Sequence, residues 1–302
     1  MKYLYLLSLF LCFVDCKGQQ NKSVLPAEEP YTFQMITIPA TLTSPEERAA
    51  YLVKHYWDNF EFADTSLVRR QQAIEQALVD YIDIFPYATQ TIVRESIRGM
   101  LKKAEKAENI FVYFASLYER YLYEPNSPMR NDEYYIPVLE TLLESPSWKE
   151  KVRPAELLRL AKLNRTGQVA NNFTYTLANG QKGTLHALRS AYTLVFFYNP
   201  DCHNCQEVSG GLQQSATVSS MLAAKRLNIL AIYTDADLAA WKRYLPQMPK
   251  EWTVSYDEKR AIDREELYDL KAIPSLYLLD KDKKVLLKDA TFEQVENYLG
   301  NL

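Results

Sequence analysis

The sequence predicts an all-α helical bundle followed by an α/β domain built on a central mixed sheet flanked by helices. Three observations predict it. Apolar residues recur at three- and four-residue spacing from about residue 44 to 165, short apolar runs alternate with amphipathic stretches from about 167 onward, and a Cys-x-x-Cys pair stands where one such run meets a helix. At 302 residues the chain has the length of two ordinary domains. It divides into a signal peptide at 1–18, a linker at 19–43, the helical domain at 44–165 and the α/β domain at 166–302.

Met1 and Lys2 form a short positive start, and residues 3–14 are an apolar core of secretory length, too short to span a bilayer. The protein is therefore expected to be exported. Processing has two readings. Cys16 is a candidate lipidated cysteine, although Asp15 is not the small residue such a site prefers; cleavage after Gly18 would instead leave Gln19 first. Either suits thiol chemistry, because exported compartments handle disulfides. No other stretch is long and apolar enough to cross a membrane.

In the helical domain, Ser44-Pro45-Glu46-Glu47 is a capping box with proline at the first helical position, followed by the stripe Ala49, Leu52, Val53 and Tyr56. Ile74, Ala77, Leu78, Tyr81, Ile82 and Phe85 form a second stripe that Pro86 ends, and Val93, Ile97, Met100, Leu101 and Ala104 a third. An aromatic-rich helix over 109–123, a loop at 124–128, and helices near 134–144 and 155–163 complete the bundle, with no fixed repeat period. Asp58, Glu61 and Asp64 around Trp57, Phe60 and Phe62 could form an acidic site, but charges near helix ends more often serve as solvated faces and caps. His55 lies off the apolar stripe and reads as a surface residue.

In the α/β domain, 173–177 reads as a strand, Asn179-Gly180 as a hairpin turn and Thr184 as the cap of a small helix through Leu188. Residues 192–198, aromatic and β-branched and bounded by Asn199 and Pro200, form a buried strand feeding a tight junction. There Cys202 and Cys205 open a helix, whose unpaired N–H groups and positive dipole end stabilise a thiolate, the nucleophile of disulfide exchange. Gly210-Gly211 should kink or break that helix. Then follow a strand at 229–233, a helix at 238–244, a strand at 253–256, a helix at 260–270, a strand at 275–279, a turn at 280–283, a strand at 285–287 and a closing helix at 292–299. Crossovers of this kind imply a sheet covered on both faces.

Cysteine usage narrows the chemistry. Of four cysteines, Cys12 and Cys16 lie in the hydrophobic N-terminus, so the folded body holds one pair. With only His55, His186 and His203 besides, no four-ligand zinc site completes itself, and neither a metal nor a cofactor is called for. A structural disulfide is the other use of the pair, yet a bridge closing so short a loop gains little loop-closure entropy. The composition, 47% hydrophobic and 24% charged with a net charge of -3, does not point to nucleic acid.

Two segments carry a family resemblance. Phe196-Phe197-Tyr198-Asn199-Pro200-Asp201-Cys202-His203-Asn204-Cys205 and, far downstream, Lys271-Ala272-Ile273-Pro274-Ser275-Leu276-Tyr277-Leu278-Leu279-Asp280 resemble the active-site and cis-proline segments of a thioredoxin-fold module of the TlpA-like branch, exported thiol-disulfide oxidoreductases. Ile38-Pro39 and His55-Tyr56-Trp57-Asp58-Asn59-Phe60 resemble the helical domain of unknown function fused ahead of such modules in Gram-negative lipoproteins and periplasmic proteins. The resemblance implies a thioredoxin-like C-terminal domain, a catalytic pair Cys202 and Cys205, a cis Pro274 that has no N–H to cover the sulfurs, and a substrate peptide lying beside Ile273. It also implies a periplasmic protein, free or membrane-anchored through Cys16.

Several positions depart from the family pattern. Asp201 stands where tryptophan is common, His203-Asn204 replaces Gly-Pro, and Phe196 occupies the place of the buried acid. Glu207 is near, but out of register with, the glutamate of some relatives. A protonated His203 favours the Cys202 thiolate and a more oxidising site, whereas the Asp201 carboxylate opposes it.

On this reading Cys202 attacks the disulfide of a protein substrate, Cys205 resolves the mixed disulfide, and a membrane thiol reductase restores the dithiol. Run in reverse, the site is an oxidase, and the residues leave the direction open. The alternative is a non-catalytic binding module whose helical domain docks a partner protein. A peroxidase is disfavoured, since no threonine-containing peroxidatic motif precedes Cys202.

Overall fold

A computed structural model describes residues 32–302. The predicted signal peptide, Cys16 and the first part of the predicted linker lie outside the described residues.

Helix α1 (Pro45–His55) begins at a reciprocal cap, in which Ser44 Oγ accepts the Glu47 N–H at 3.1 Å and the Glu47 carboxylate accepts the Ser44 N–H at 3.4 Å. Helix α2 (Gln71–Asp83) gives way to a 3₁₀ turn, Phe85–Tyr87, that holds Pro86. Helices α3 (Gln90–Ala104), α4 (Glu108–Leu122), α5 (Asp132–Glu144) and α6 (Val152–Ala161) follow, and the predicted stripes face inward. The stripes converge on aromatic rings, with Trp57 edge-on to Phe60 at 5.4 Å and to Phe114 at 5.2 Å.

This packing decides between the two readings of the Trp57 segment. Trp57, Phe60 and Phe62 are core residues. Asp58 turns outward to His55 at 2.7 Å and Lys103 at 3.0 Å, and Asp64 caps a 3₁₀ turn by accepting the Ser66 N–H at 2.9 Å. The carboxylates cap and pair instead of gathering into a site.

The C-terminal region is a seven-stranded sheet of β1 (Thr174–Leu177), β2 (Lys182–Thr184), β3 (Tyr192–Tyr198), β4 (Leu227–Tyr233), β5 (Thr253–Tyr256), β6 (Ser275–Asp280) and β7 (Val285–Ala290), in the order β2-β1-β5-β4-β3-β6-β7. β3, β4 and β5 run parallel and the remaining pairs antiparallel, so the sheet is mixed. The turn between β1 and β2 places Gly180 at φ +83°, a conformation that the missing Cβ permits. β3 lies at the centre, between β4 and β6. Its Leu194, Phe196 and Tyr198 enter one core, while Val195 and Phe197 enter a second with Phe173, Tyr268 and Tyr277. A strand buried on both faces needs apolar residues at every position, which is why this one reads as a continuous run.

The remaining helices are α7 (His203–Gln214), α8 (Ala216–Ala223), α9 (Leu238–Tyr244), α10 (Ala261–Arg264) and α11 (Phe292–Gly300). Two of them differ from expectation. α7 runs straight through Gly210-Gly211 and stops at Ser215, which caps α8 by accepting the Val218 N–H at 2.9 Å. Gly211 allows close packing instead of a break, since a Cβ there would lie 3.1 Å from the Phe292 ring of α11. The helix expected over 260–270 shortens to α10, because Glu266 turns to φ +47° and the Leu267 N–H closes back on Ile262 O at 2.9 Å. That is a left-handed helix stop with glutamate where glycine is usual.

Charged groups join the helical domain to the sheet. Lys271 Nζ lies 2.9 Å from Asp132 Oδ1, at the start of α5, and 2.8 Å from Asp269 Oδ2; Lys288 Nζ lies 2.7 Å from Asp132 Oδ2. None of these side chains is more than 8% exposed. Lys288 also donates to the carbonyls of Ala161 and Leu163 at 2.8 and 2.6 Å, at the end of α6. Burial by itself would raise the Asp132 carboxyl, but Lys271 and Lys288 outweigh it and hold the group below the usual carboxylate range. Beside this cluster, Arg130 Nε lies 3.0 Å from Asp289 Oδ2, and Arg130 Nη2 donates to Asp289 O at 3.0 Å.

Removing the Asp132 charge leaves Lys271 with Asp269 as its only carboxylate partner and leaves Lys288 with backbone carbonyls alone. Asp132→Asn should lower stability by about 3–5 kcal/mol at neutral pH, read as a fall in Tm. The unfolded Asp132 binds protons more readily than the folded one, so its contribution is present above its ordinary value near 4 and is lost as pH falls through the lower folded value. The gap in Tm between wild type and Asp132→Asn should accordingly narrow on acidification through that window; a gap that stays constant there would contradict the assignment.

Candidate functional site

The end of β3 sets the geometry of the cysteines. After Tyr198 the chain turns tightly, with Asn199 O accepting the Cys202 N–H at 3.1 Å and Asn199 Oδ1 accepting the Asp201 N–H at 2.9 Å. Cys202 thereby becomes the N-cap of α7 in an extended conformation, and its Sγ accepts the Cys205 N–H at 3.2 Å. Its thiol donates to Ile273 O at 3.6 Å, and the residue is partly exposed. Cys205 is 2% exposed and lies in the core shared by Phe196, Tyr198 and Leu212. Burial first, and then the hydrogen bond with Cys202, push the Cys205 thiol up to about 12, against a smaller lowering by the Asn199 backbone. One sulfur is thus reachable and the other shielded.

The partner segment arrives from the neighbouring strand. β6 pairs with β3 so that Ser275 stands opposite Phe197, which brings Pro274 level with the end of β3. The Ile273–Pro274 peptide bond is cis. Pro274 presents no N–H to the cysteines, and the carbonyl of Ile273 contacts Cys202.

The residues expected to tune the site face outward. His203 is 81% exposed and its Nε2 lies 3.3 Å from Glu207 Oε1, one turn along α7, with Glu207 65% exposed. A solvated imidazole beside a carboxylate projects little net field onto Cys202. Asp201 is exposed and held through its N–H by Asn199. Glu207 is on the solvent side of α7, away from the buried Cys205. Below Cys205, Tyr198 OH accepts the Trp241 Nε1–H at 3.0 Å in a buried pair. Phe196 and a tyrosine therefore occupy the region where the family pattern has an acid. Among the described residues no three His, Cys, Asp or Glu side chains gather to hold a metal ion.

Sequence reasoning missed the groups that hold the 271–275 segment. At one end Lys271 is bound by Asp132 and Asp269. At the other, Ser275 Oγ donates to Asp289 Oδ1 at 2.8 Å, and Asp289 is in turn held by Arg130. Asp132 and Arg130 come from the helical domain, so nothing local to the cis-proline motif announced them.

Residues 190–285 match the thioredoxin-like family, and residues 15–164 match a domain of unknown function, DUF5106. A thioredoxin-like protein from Bacteroides caccae, known from its crystal structure, is 48% identical, with 90% of this chain and 99% of that one covered and a TM-score of 0.86. This chain belongs to the thioredoxin-like proteins. The C-terminal domain of an uncharacterized protein from Bacteroides fragilis is 52% identical over 45% of this chain and 98% of its own, with a TM-score of 0.45. The thioredoxin domain of a thiol-disulfide oxidoreductase from Bacteroides vulgatus is 24% identical over 45% of this chain and 98% of its own, with a TM-score of 0.40. No curated protein matches the chain.

This thioredoxin-like protein should show unequal thiols. Under native reducing conditions iodoacetamide should modify Cys202 at least tenfold faster than Cys205, and denaturation should remove the difference, as read by peptide mass mapping. Equal native rates would contradict the shielding of Cys205.

Proposed function

We propose that the chain is a thiol-disulfide oxidoreductase that reduces protein disulfides in the cell envelope through Cys202 and Cys205. The observation that carries this is the partly exposed Cys202 at the helix N-cap, with its sulfur 3.6 Å from the carbonyl next to Pro274. Membership of the thioredoxin-like proteins supports it.

The Cys202 thiolate attacks one sulfur of a substrate disulfide. That bond breaks, a mixed disulfide forms, and the departing substrate sulfur takes a proton from water. Cys205, protonated until then because of its burial, attacks the Cys202 sulfur and passes its proton to the second departing substrate sulfur. Two electrons reach the substrate and the pair becomes a disulfide. A membrane thiol reductase returns the dithiol. The apolar N-terminal segment supports export, with Cys16 as a lipid anchor or with cleavage after Gly18.

A second reading is a binding module in which the helical domain docks a partner. The absence of a carboxylate at Phe196, which would leave Cys205 without a nearby base, favours it.

Cys202→Ser should abolish reduction of insulin disulfides, and Cys205→Ser should accumulate a mixed disulfide with substrate. An undiminished rate in Cys202→Ser would overturn the proposal. A redox titration then separates the readings: a strongly reducing potential fits a reductase, an oxidising one a disulfide donor, and failure to cycle the binding module.

A further inference from the structure

Beside the cis-proline segment lies a cleft of about 300 Å³ whose two sides come from different domains. Its floor is apolar, made by Val208 of α7, Pro274 and Phe292 of α11. Its far wall is Pro125, Asn126 and Arg130, from the loop between α4 and α5. This loop is braced. Arg130 Nη1 donates to Pro125 O at 2.5 Å, Ser127 Oγ donates to Tyr121 O at 2.6 Å, and the Arg130 guanidinium is anchored on Asp289. Because Asp289 neutralises Arg130, the carboxylates left at the rim are Glu207, which lies 3.3 Å from the His203 imidazole, and Glu293.

We infer that the 124–131 segment of the helical domain determines which substrates reach Cys202. The cleft takes an extended polypeptide segment that seats an apolar side chain, next to its reacting cysteine, on Val208, Pro274 and Phe292, and that turns a basic residue toward Glu207 and Glu293. The volume suits one or two side chains, and the apolar floor beneath a charged rim is the usual division between affinity and orientation in such sites. The inference rests on the oxidoreductase reading for its chemistry, although the recognition itself involves no redox step.

The test is therefore a binding measurement on the reduced full chain. The probe is a short peptide in which serine replaces the reacting cysteine and is followed by leucine and lysine, titrated by calorimetry. Wild type should bind it at least tenfold more tightly than the same peptide with glutamate in place of lysine. Asn126→Trp, which fills the cleft from its wall, should weaken binding of the lysine peptide at least tenfold at an unchanged Tm. Equal affinity for the two peptides, or full affinity in a folded Asn126→Trp, would overturn the inference. If Asn126→Trp does not fold, the comparison of peptides on wild type decides alone. A wild type that discriminates between the peptides yet reduces no disulfide would remove the oxidoreductase reading and leave this one standing.

Discussion

A strand with no solvent-facing side is the constraint on which the site depends. All of Leu194, Val195, Phe196 and Phe197 are fully buried, so β3 beyond its first residue has no position for a group that must meet solvent. Reactive groups can appear only where the strand stops. The turn at Asn199 and Pro200 supplies that stop within a few residues and delivers Cys202 to the first turn of α7. Pairing with β6 fixes the height of Pro274 by the same register. The difference between the two thiols follows from one turn of helix, which carries the chain from the end of the central strand into the core.

Charged groups tie the helical domain to the end of the sheet that carries the site. Burying Lys271, Lys288, Asp132 and Asp269 is costly, and clusters of this kind often add little net stability over apolar substitutes. What they add is geometry. A lysine shared by two carboxylates and a serine bonded to an arginine-held aspartate leave the 271–275 segment few alternative positions.

Much of this was legible in the chain. Helices with strong caps and single apolar stripes, such as α1 and α3, fall where their periodicity places them, and the alternation of strands after residue 170 gives the order of the sheet elements. The cysteine junction was legible from the strand that ends there and the helix it opens, and the cis Pro274 only from the family resemblance of the 271–280 segment. Three things were not. The extent of α10 depends on a glutamate in a left-handed conformation that tertiary packing imposes on Tyr268 and its neighbours. The close packing of Gly211 in α7 against a ring from α11 is a long-range contact that sequence spacing cannot supply. The Asp132 and Arg130 contacts join residues more than a hundred positions apart, and a single sequence holds no record of such pairs.

Gly211 reaches further than helix continuity. By lacking a methyl group it lets the Phe292 ring settle against the backbone of α7, and that same ring forms part of the floor beneath Pro274. One residue lining the cleft is therefore positioned by an atom that is missing from a residue that does not line it. Alanine at this position would press its methyl group on the Phe292 ring, which must then shift by a few tenths of an ångström.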